Sequence, residues 1–310
     1  MSRDQYGQAV PVEIHRAATS YFSDPEEGLD PTLFDGTHLA PYIRNGLMRL
    51  LFDFLGERYL HPDLWCRVWL AGSGVSYQWS AQREPADLDV LVGVDFVQFR
   101  KAHPQYAGLA DSQIASMLND EFRTDLHPET CDWNGFEVTF YVNATGTDIR
   151  NINPYAAYDL THDEWTVFPS KQSTGRNAAW DEAAHRDRSR AMDIIGRYSQ
   201  ALTDVRGSQN DAARRNAEVR LQQSLAQGSA MFEDIHQGRK LAFSQTGQGY
   251  SDFHNYRWQA GKELGTVHAL RQMHDYTRAA QSQQASETYG VELPDTRTLL
   301  RRAALYRIPR

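Results

Sequence analysis

Cysteine is scarce in this chain, with only Cys66 and Cys131 among 310 residues. Two thiols build neither a disulfide framework nor a cysteine-rich zinc site, so a reduced, cytoplasmic setting is expected. No apolar run is long enough to cross a bilayer, and no membrane partner is expected. Residues 1–12 lack a basic segment followed by an apolar stretch, which predicts no secretory leader. The spacing Gly-x-x-x-x-Gly-Lys is missing, which disfavours a Walker-type NTPase. Gly72-Ser73-Gly74 is not a dinucleotide fingerprint, because Tyr77 stands where the third glycine belongs. Ser73 and Ser76 lie outside a Gly-x-Ser-x-Gly elbow. His-Glu-x-x-His is absent, which argues against a zinc hydrolase.

The charge is unevenly spread. The net charge is −8. Residues 1–170 carry 11 Lys and Arg against 25 Asp and Glu, or −14, and residues 171–310 carry 21 against 15, or +6. One reading is a polyanion held between an acidic, metal-binding lobe and a basic one. The other is that helical surfaces simply collect arginine.

Residues 1–30 read as irregular, broken by Pro11, Pro25 and the Asp30-Pro31 step. Leu47, Leu50, Leu51, Phe54 and Leu55 recur at helical spacing and predict a helix over about 39–59. Strands are predicted near 65–71, 87–94 and 133–142, with a helix over about 109–122 between the last two. Residues 158–167 read as a hairpin or short strand pair. Beyond Pro169 the pattern becomes helical. Trp180 to Leu202, Leu221 to Ile235 and Phe253 to Leu270 mark three amphipathic helices. The expected organisation is an α/β domain over 1–170, a helical bundle over 171–285, and a tail over 286–310 with a short helix near 296–305.

The chemistry concentrates in two segments. Trp69-Leu70-Ala71-Gly72-Ser73 reads as an apolar strand that ends in a glycine turn. Ala86-Asp87-Leu88-Asp89-Val90 reads as a second strand. Side chains alternate along a strand, so Asp87 and Asp89 share one face while Leu88 and Val90 take the other. Two such carboxylates repel unless something neutralises them. A divalent cation does so, and hard oxygen ligands suit Mg²⁺. Glu137 is the natural third acid, on the polar face of Phe136-Glu137-Val138-Thr139-Phe140. If its strand neighbours the Asp87 strand, three carboxylates converge and can hold two ions. Gly72 permits close backbone approach to a phosphate, and Ser73 adds a hydroxyl donor.

Gly-Ser, then Asp-x-Asp on the next strand, then an acid on a later strand resembles the DNA polymerase β-type nucleotidyltransferase superfamily. The likeness covers the first half, and a helical domain after a catalytic palm is common in that group. Tyr158 to Val167 and Asn255 to Lys262 are similar to uncharacterised nucleotidyltransferase-like proteins of actinobacteria and their phages. The resemblance implies a polymerase-β-like palm, a mixed sheet with flanking helices, followed by a helical bundle. It implies that Gly72 and Ser73 grip an NTP, that Asp87 and Asp89 ligate two Mg²⁺ (or Mn²⁺) ions, and that Glu137 ligates the catalytic one. NMP would pass to an acceptor hydroxyl with release of pyrophosphate. An RNA 3′ end is one such acceptor; a protein, a small molecule or a catalytically silent nucleotide-binding role are the alternatives. The chain departs in carrying Glu at 137 where many members have Asp, and Asp132 stands in if the strand register differs.

Each residue also has a plainer reading. Asp87, Asp89 and Glu137 would be solvated strand faces. His162-Asp163-Glu164 fits a polar turn better than a metal site. Arg239-Lys240, Arg257 and Lys262 are candidate phosphate grips, with Lys262 preferred, or they are surface charges. Trp258 and Tyr250 would stack on a base or fill a core.

Overall fold

The computed structural model describes residues 11–17, 21–22, 28–77, 79, 87–143, 148–152, 154, 156–170, 175–244 and 246–289, with side chains through residue 280. These residues fall into two compact units. Those between Asp24 and Ser173 form one, and those within Met1–Ser23 and Thr174–Leu293 form the other. The N-terminal residues 11–17 and 21–22 therefore belong with the helices rather than with the 1–170 domain expected from sequence. The physical cause is burial: Val12 packs in the helical core, and Phe22 lies 4.7 Å from the Tyr256 ring.

The first unit is α/β and is built on a mixed five-stranded sheet. It opens with a two-residue-stranded hairpin, β1 (Phe34–Asp35) and β2 (His38–Leu39), then α1 (Pro41–Gly56) and the short α2 (Pro62–Trp65). There follow β3 (Cys66–Ala71), β4 (Leu88–Val94), α3 (Phe96–Ala102) and α4 (Asp111–Glu121). A wide π turn, Phe122–Leu126, leads into α5 (His127–Thr130), where it accommodates Pro128 and its missing N–H. β5 (Val138–Val142), β6 (Ala157–Asp159) and β7 (Glu164–Val167) complete the unit. The strand order is β5-β4-β3-β6-β7. Only β4 and β5 run parallel; the other pairs are antiparallel.

Period-2 alternation divides this sheet cleanly. Val68, Leu70, Leu88, Val90, Val92, Val138, Phe140 and Tyr158 point into the large core with Ile43, Leu47 and Leu51 of α1. Trp69, Ala71, Leu91 and Ala157 point the other way, into a small cluster with Ile149. Asp89 and Thr139 share the parity of this second face.

Three sequence expectations are corrected here. The strand expected over 133–142 begins at Val138, because Asn134 (φ 53°) and Gly135 (φ 83°) form a tight turn that pairs Trp133 with Phe136. Asn-Gly is the residue pair that a type I′ turn demands. The helix expected over 39–59 starts at Pro41, since Leu39 is in β2. The third helix of the bundle is two helices, as described next.

The second unit holds α6 (Ala178–Gly207), α7 (Asp211–Ala242), α8 (Phe253–Glu263) and α9 (Thr266–Tyr289). Asn177, Asn210 and Asp252 cap the first three through side-chain oxygens that accept backbone N–H bonds. At about 1.5 Å per residue, α6 and α7 are each roughly 45 Å long and pack as a helical hairpin. Gly265 (φ 76°) separates α8 from α9. A Cβ there would fall 1.9 Å from the His15 carbonyl oxygen, so the N-terminal segment and the left-handed backbone both require glycine. Arg257 fastens three helices by reaching Asp187 of α6 and Asp234 of α7. The short helix expected near 296–305 lies outside the described residues. Among the described residues no helix is long and apolar enough to cross a membrane.

His103 links fold to pH. It is buried among Tyr59, Trp65 and Phe99; its Nε2 accepts the Leu60 N–H at 2.8 Å and its Nδ1 donates to the Phe99 carbonyl at 2.9 Å. This arrangement requires the neutral ring, and burial holds its pKa below the ordinary histidine value. The unfolded chain therefore takes the proton first as pH falls. Stability from His103 is complete above the unfolded value of about 6.5 and is lost as pH drops through it toward the folded value. Thermal melts from about pH 7.5 to about 5.5 check this. The wild type loses melting temperature more steeply than His103→Gln; parallel curves contradict the assignment.

Candidate active site

The site grows from the end of β3. Ala71 is the partner of Asp89 across the antiparallel β3–β4 pair. The next residue, Gly72, adopts φ 87°, and the chain then turns through a single 3₁₀ turn, Ser73–Val75. Ser76 closes it, donating both its N–H and its hydroxyl to the Ser73 carbonyl at 3.2 and 2.8 Å. Val75 is buried beneath the turn, while Ser73 is half-buried.

Gly72 lies directly against the Asp89 carboxylate. A Cβ built on it would sit 2.5 Å from Asp89 Oδ2 and 3.1 Å from Asp89 Cβ. The backbone conformation and the close approach each exclude a side chain. The Gly-Ser turn and one member of the Asp-x-Asp pair are thereby in contact, although they are far apart in sequence.

The third acid arrives through β5. Leu88 pairs with Val138 and Asp89 with Thr139 in parallel register, and the Leu88 N–H donates to the Glu137 carbonyl at 2.8 Å. Glu137 is the residue just before β5, and Asp87 is the residue just before β4. Neighbouring strands lie about 4.8 Å apart, so these two backbones are adjacent. The Glu137 carboxylate is half exposed and lies 3.5 Å from His127 Nε2. Among the described residues no three Asp, Glu, His or Cys side chains are grouped as ligands for an ion. Asp132 precedes the Asn134-Gly135 turn and is exposed, outside any strand.

The donor set nonetheless suits a hard divalent cation. Asp87 and Glu137 immediately precede the paired strands β4 and β5, Asp89 lies within β4, and Gly72 leaves an open backbone beside Asp89. Oxygen donors of this kind bind Mg²⁺ with part of its shell left to water and phosphate.

The remaining candidates are placed as follows. Arg257 is largely buried, with its guanidinium spent on Asp187 and Asp234, whose hydrogen bonds hold its pKa up. Lys262 is exposed on α8. Trp258 and Tyr250 are buried. His162 and Asp163 form the polar turn between β6 and β7. Ser229 Oγ, His274 Nδ1 and Glu233 resemble a nucleophile–base–acid set at 2.9 and 3.4 Å. Ser229 lies inside α7, whose backbone N–H groups are committed to the helix, so no donors remain for an oxyanion.

Two residues escaped the sequence reading. His127 contacts Glu137; its signal was weak, because His-Pro after a helical pattern reads as a stop. Asp159 is fully buried on the same sheet face as Trp69, where Arg67 Nε and Nη2, His162 Nδ1 and two backbone N–H groups converge on it. Burial opposes its charge, but His162 and Arg67 outweigh that and keep its pKa below the usual carboxylate value. Asp159 in Tyr-Asp-Leu-Thr-His carried the signal of a side chain that bonds its own following backbone.

Comparison with protein-family models, curated proteins and solved structures gives no match.

The Gly72–Asp89 contact sets a measurable expectation. Gly72→Ala should destabilise the fold by about 1–3 kcal/mol in urea titration. Gly36→Ala, at φ 61° with open space around it, is the control for backbone strain alone. Adding Asp89→Ala should recover part of the Gly72→Ala loss. A double-mutant cycle with no coupling removes the contact from this account.

Proposed function

We propose that the chain is a metal-dependent nucleotidyltransferase with a polymerase-β-like palm, transferring NMP from an NTP to an acceptor hydroxyl with release of pyrophosphate. The observation that carries the reading is the β3–β4–β5 register. It sets Asp89 against Gly72 and starts the Glu137 strand beside the Asp-x-Asp strand.

In this reading Asp87, Asp89 and Glu137 hold the ions. Two bound Mg²⁺ ions would neutralise the phosphates and lower the pKa of the attacking hydroxyl. The chain's own part is positional. Gly72 keeps the turn's backbone open to the triphosphate, and the Ser73 hydroxyl donates to it. Contact between Gly72 and Asp89 fixes the phosphate grip relative to the acids, so the α-phosphate is presented at one distance from them. Glu137 must swing from His127 toward Asp87 to complete the set. His127 then serves as its resting partner.

An RNA 3′ end is the first acceptor to try, with protein and small-molecule hydroxyls as the other arms. The charge argument for a polynucleotide is modest. Residues 175–289 carry 15 Lys and Arg against 13 Asp and Glu, only +2 of the +6 counted over 171–310. Nothing in this proposal relies on Arg257 or Lys262.

A second reading is a catalytically silent nucleotide-binding module, and the Glu137–His127 contact favours it, since only two acids then face a nucleotide. Incubation with α-labelled NTPs, Mg²⁺ and each acceptor separates the two. The enzyme reading expects label transfer by wild type and a loss of at least about a hundredfold in Asp89→Asn. Equal transfer by both proteins removes the assignment. NTP binding without transfer to any acceptor selects the silent module.

A further inference from the structure

On the helical unit, Arg239 and Lys240 of α7 are cations that no described carboxylate holds in an ion pair. His236, Arg239 and Lys240 are spaced i, i+3 and i+4 and therefore share a face of the helix. The His236 ring lies 5.6 Å from the Trp258 ring at 34°, and the Arg239 guanidinium lies 4.9 Å from the same indole. Phe232 stacks on His236 at 5.4 Å and lies 6.3 Å from the Trp258 ring, so the three rings form a triangle. Arg271 comes from α9, which packs along α7. Of the two carboxylates on this stretch of α7, Asp234 pairs with Arg257, while Glu233 contacts His274 and also acts on His236. Among the described residues no ion pair holds Arg239, Lys240 or Arg271.

The electrostatics agree with that geometry. Burial lowers the His236 pKa, and Lys240, Arg239 and Arg271 press it in the same direction, against Glu233. The imidazole is therefore a neutral ring at pH 7, packed against both Phe232 and Trp258. With Trp258 it forms an aromatic patch against which Arg239 lies, and Lys240 follows one residue along α7. Like charges held together this way raise the energy of the empty site and lower that of a site filled by an anion.

We propose that Arg239, Lys240 and Arg271, set around the His236–Trp258 stack, form a binding site for a multiply charged phosphate ligand. A single small anion would leave part of the charge unmatched, whereas a polyphosphate or successive backbone phosphates reach all three. Trp258 is 7% exposed and covered by Arg239, so the site reads phosphate and no base. It belongs wholly to the helical unit and does not depend on the proposed transferase chemistry.

Titration calorimetry in the presence of EDTA tests it, since chelation removes any metal-held nucleotide. The probes are tripolyphosphate and a short single-stranded RNA, each at about 50 and about 200 mM salt. The variant is Arg239→Gln/Lys240→Gln/Arg271→Gln; Arg190→Gln/Arg215→Gln, elsewhere on the bundle, is the control. Circular dichroism melts verify that both variants stay folded. Wild type should bind at least one probe, more weakly at the higher salt, and the triple variant should lose about tenfold or more in affinity while the control retains it. Tripolyphosphate alone then identifies a compact ligand, and RNA alone identifies a strand. No binding by wild type to either probe, unchanged binding by the triple variant, or an equal loss in the control overturns the proposal.

Discussion

The pairing of β3 with β4 is the constraint on which the candidate site depends. Ala71, the last residue of β3, opposes Asp89, so the next residue, Gly72, must pass directly against an aspartate side chain. Only glycine fits there, with φ 87° and no room for a methyl group. A slip of one residue in this register would turn Asp87 and Asp89 toward Val68 and Leu70 and expose Leu88 and Val90. Burying two carboxylates in that core costs far more than the fold can supply. The apolar alternation and the acidic pair therefore enforce the same register.

The second sheet face shows how the chain treats acids that serve structure. Asp159 is fully buried there, and Arg67, His162 and two backbone N–H groups surround it. Asp87 and Glu137, at the strand starts, are exposed, and Glu137 has only a half-exposed histidine beside it. A structural carboxylate is one whose lone pairs are all engaged. The exposed acids at the strand starts have no such set of partners, and the proposed chemistry would use that end of the sheet.

Much of this was legible in the sequence, and particular residues show where legibility stopped. The strands near 65–71 and 87–94 stand within a residue of Cys66–Ala71 and Leu88–Val94, because alternation and apolar runs are local signals. Adjacency of the Glu137 strand to the Asp89 strand was only a condition in the sequence, since alternation assigns faces and not neighbours; the parallel β4–β5 pairing supplies it. The orientation of the Glu137 side chain was not legible. It depends on His127, which a π turn and a short helix bring back against β5, and no local pattern encodes that return. Arg257 looked like a phosphate grip from its place on an amphipathic helix. Its two aspartate partners lie 70 and 23 positions away, beyond the reach of helical periodicity. The break at Gly265 was hidden for a similar reason, since His15, the residue that excludes a side chain there, belongs to the other end of the chain.

The measurement that bears most directly on the proposed site is a crystal structure of the full chain with Mn²⁺ and a non-hydrolysable NTP. This account predicts anomalous density for the metal between Asp87 and Asp89, the Glu137 carboxylate turned away from His127 toward it, and the triphosphate along Gly72 and Ser73. Metal density absent from those aspartates, or a nucleotide seated elsewhere with Glu137 still against His127, would contradict it.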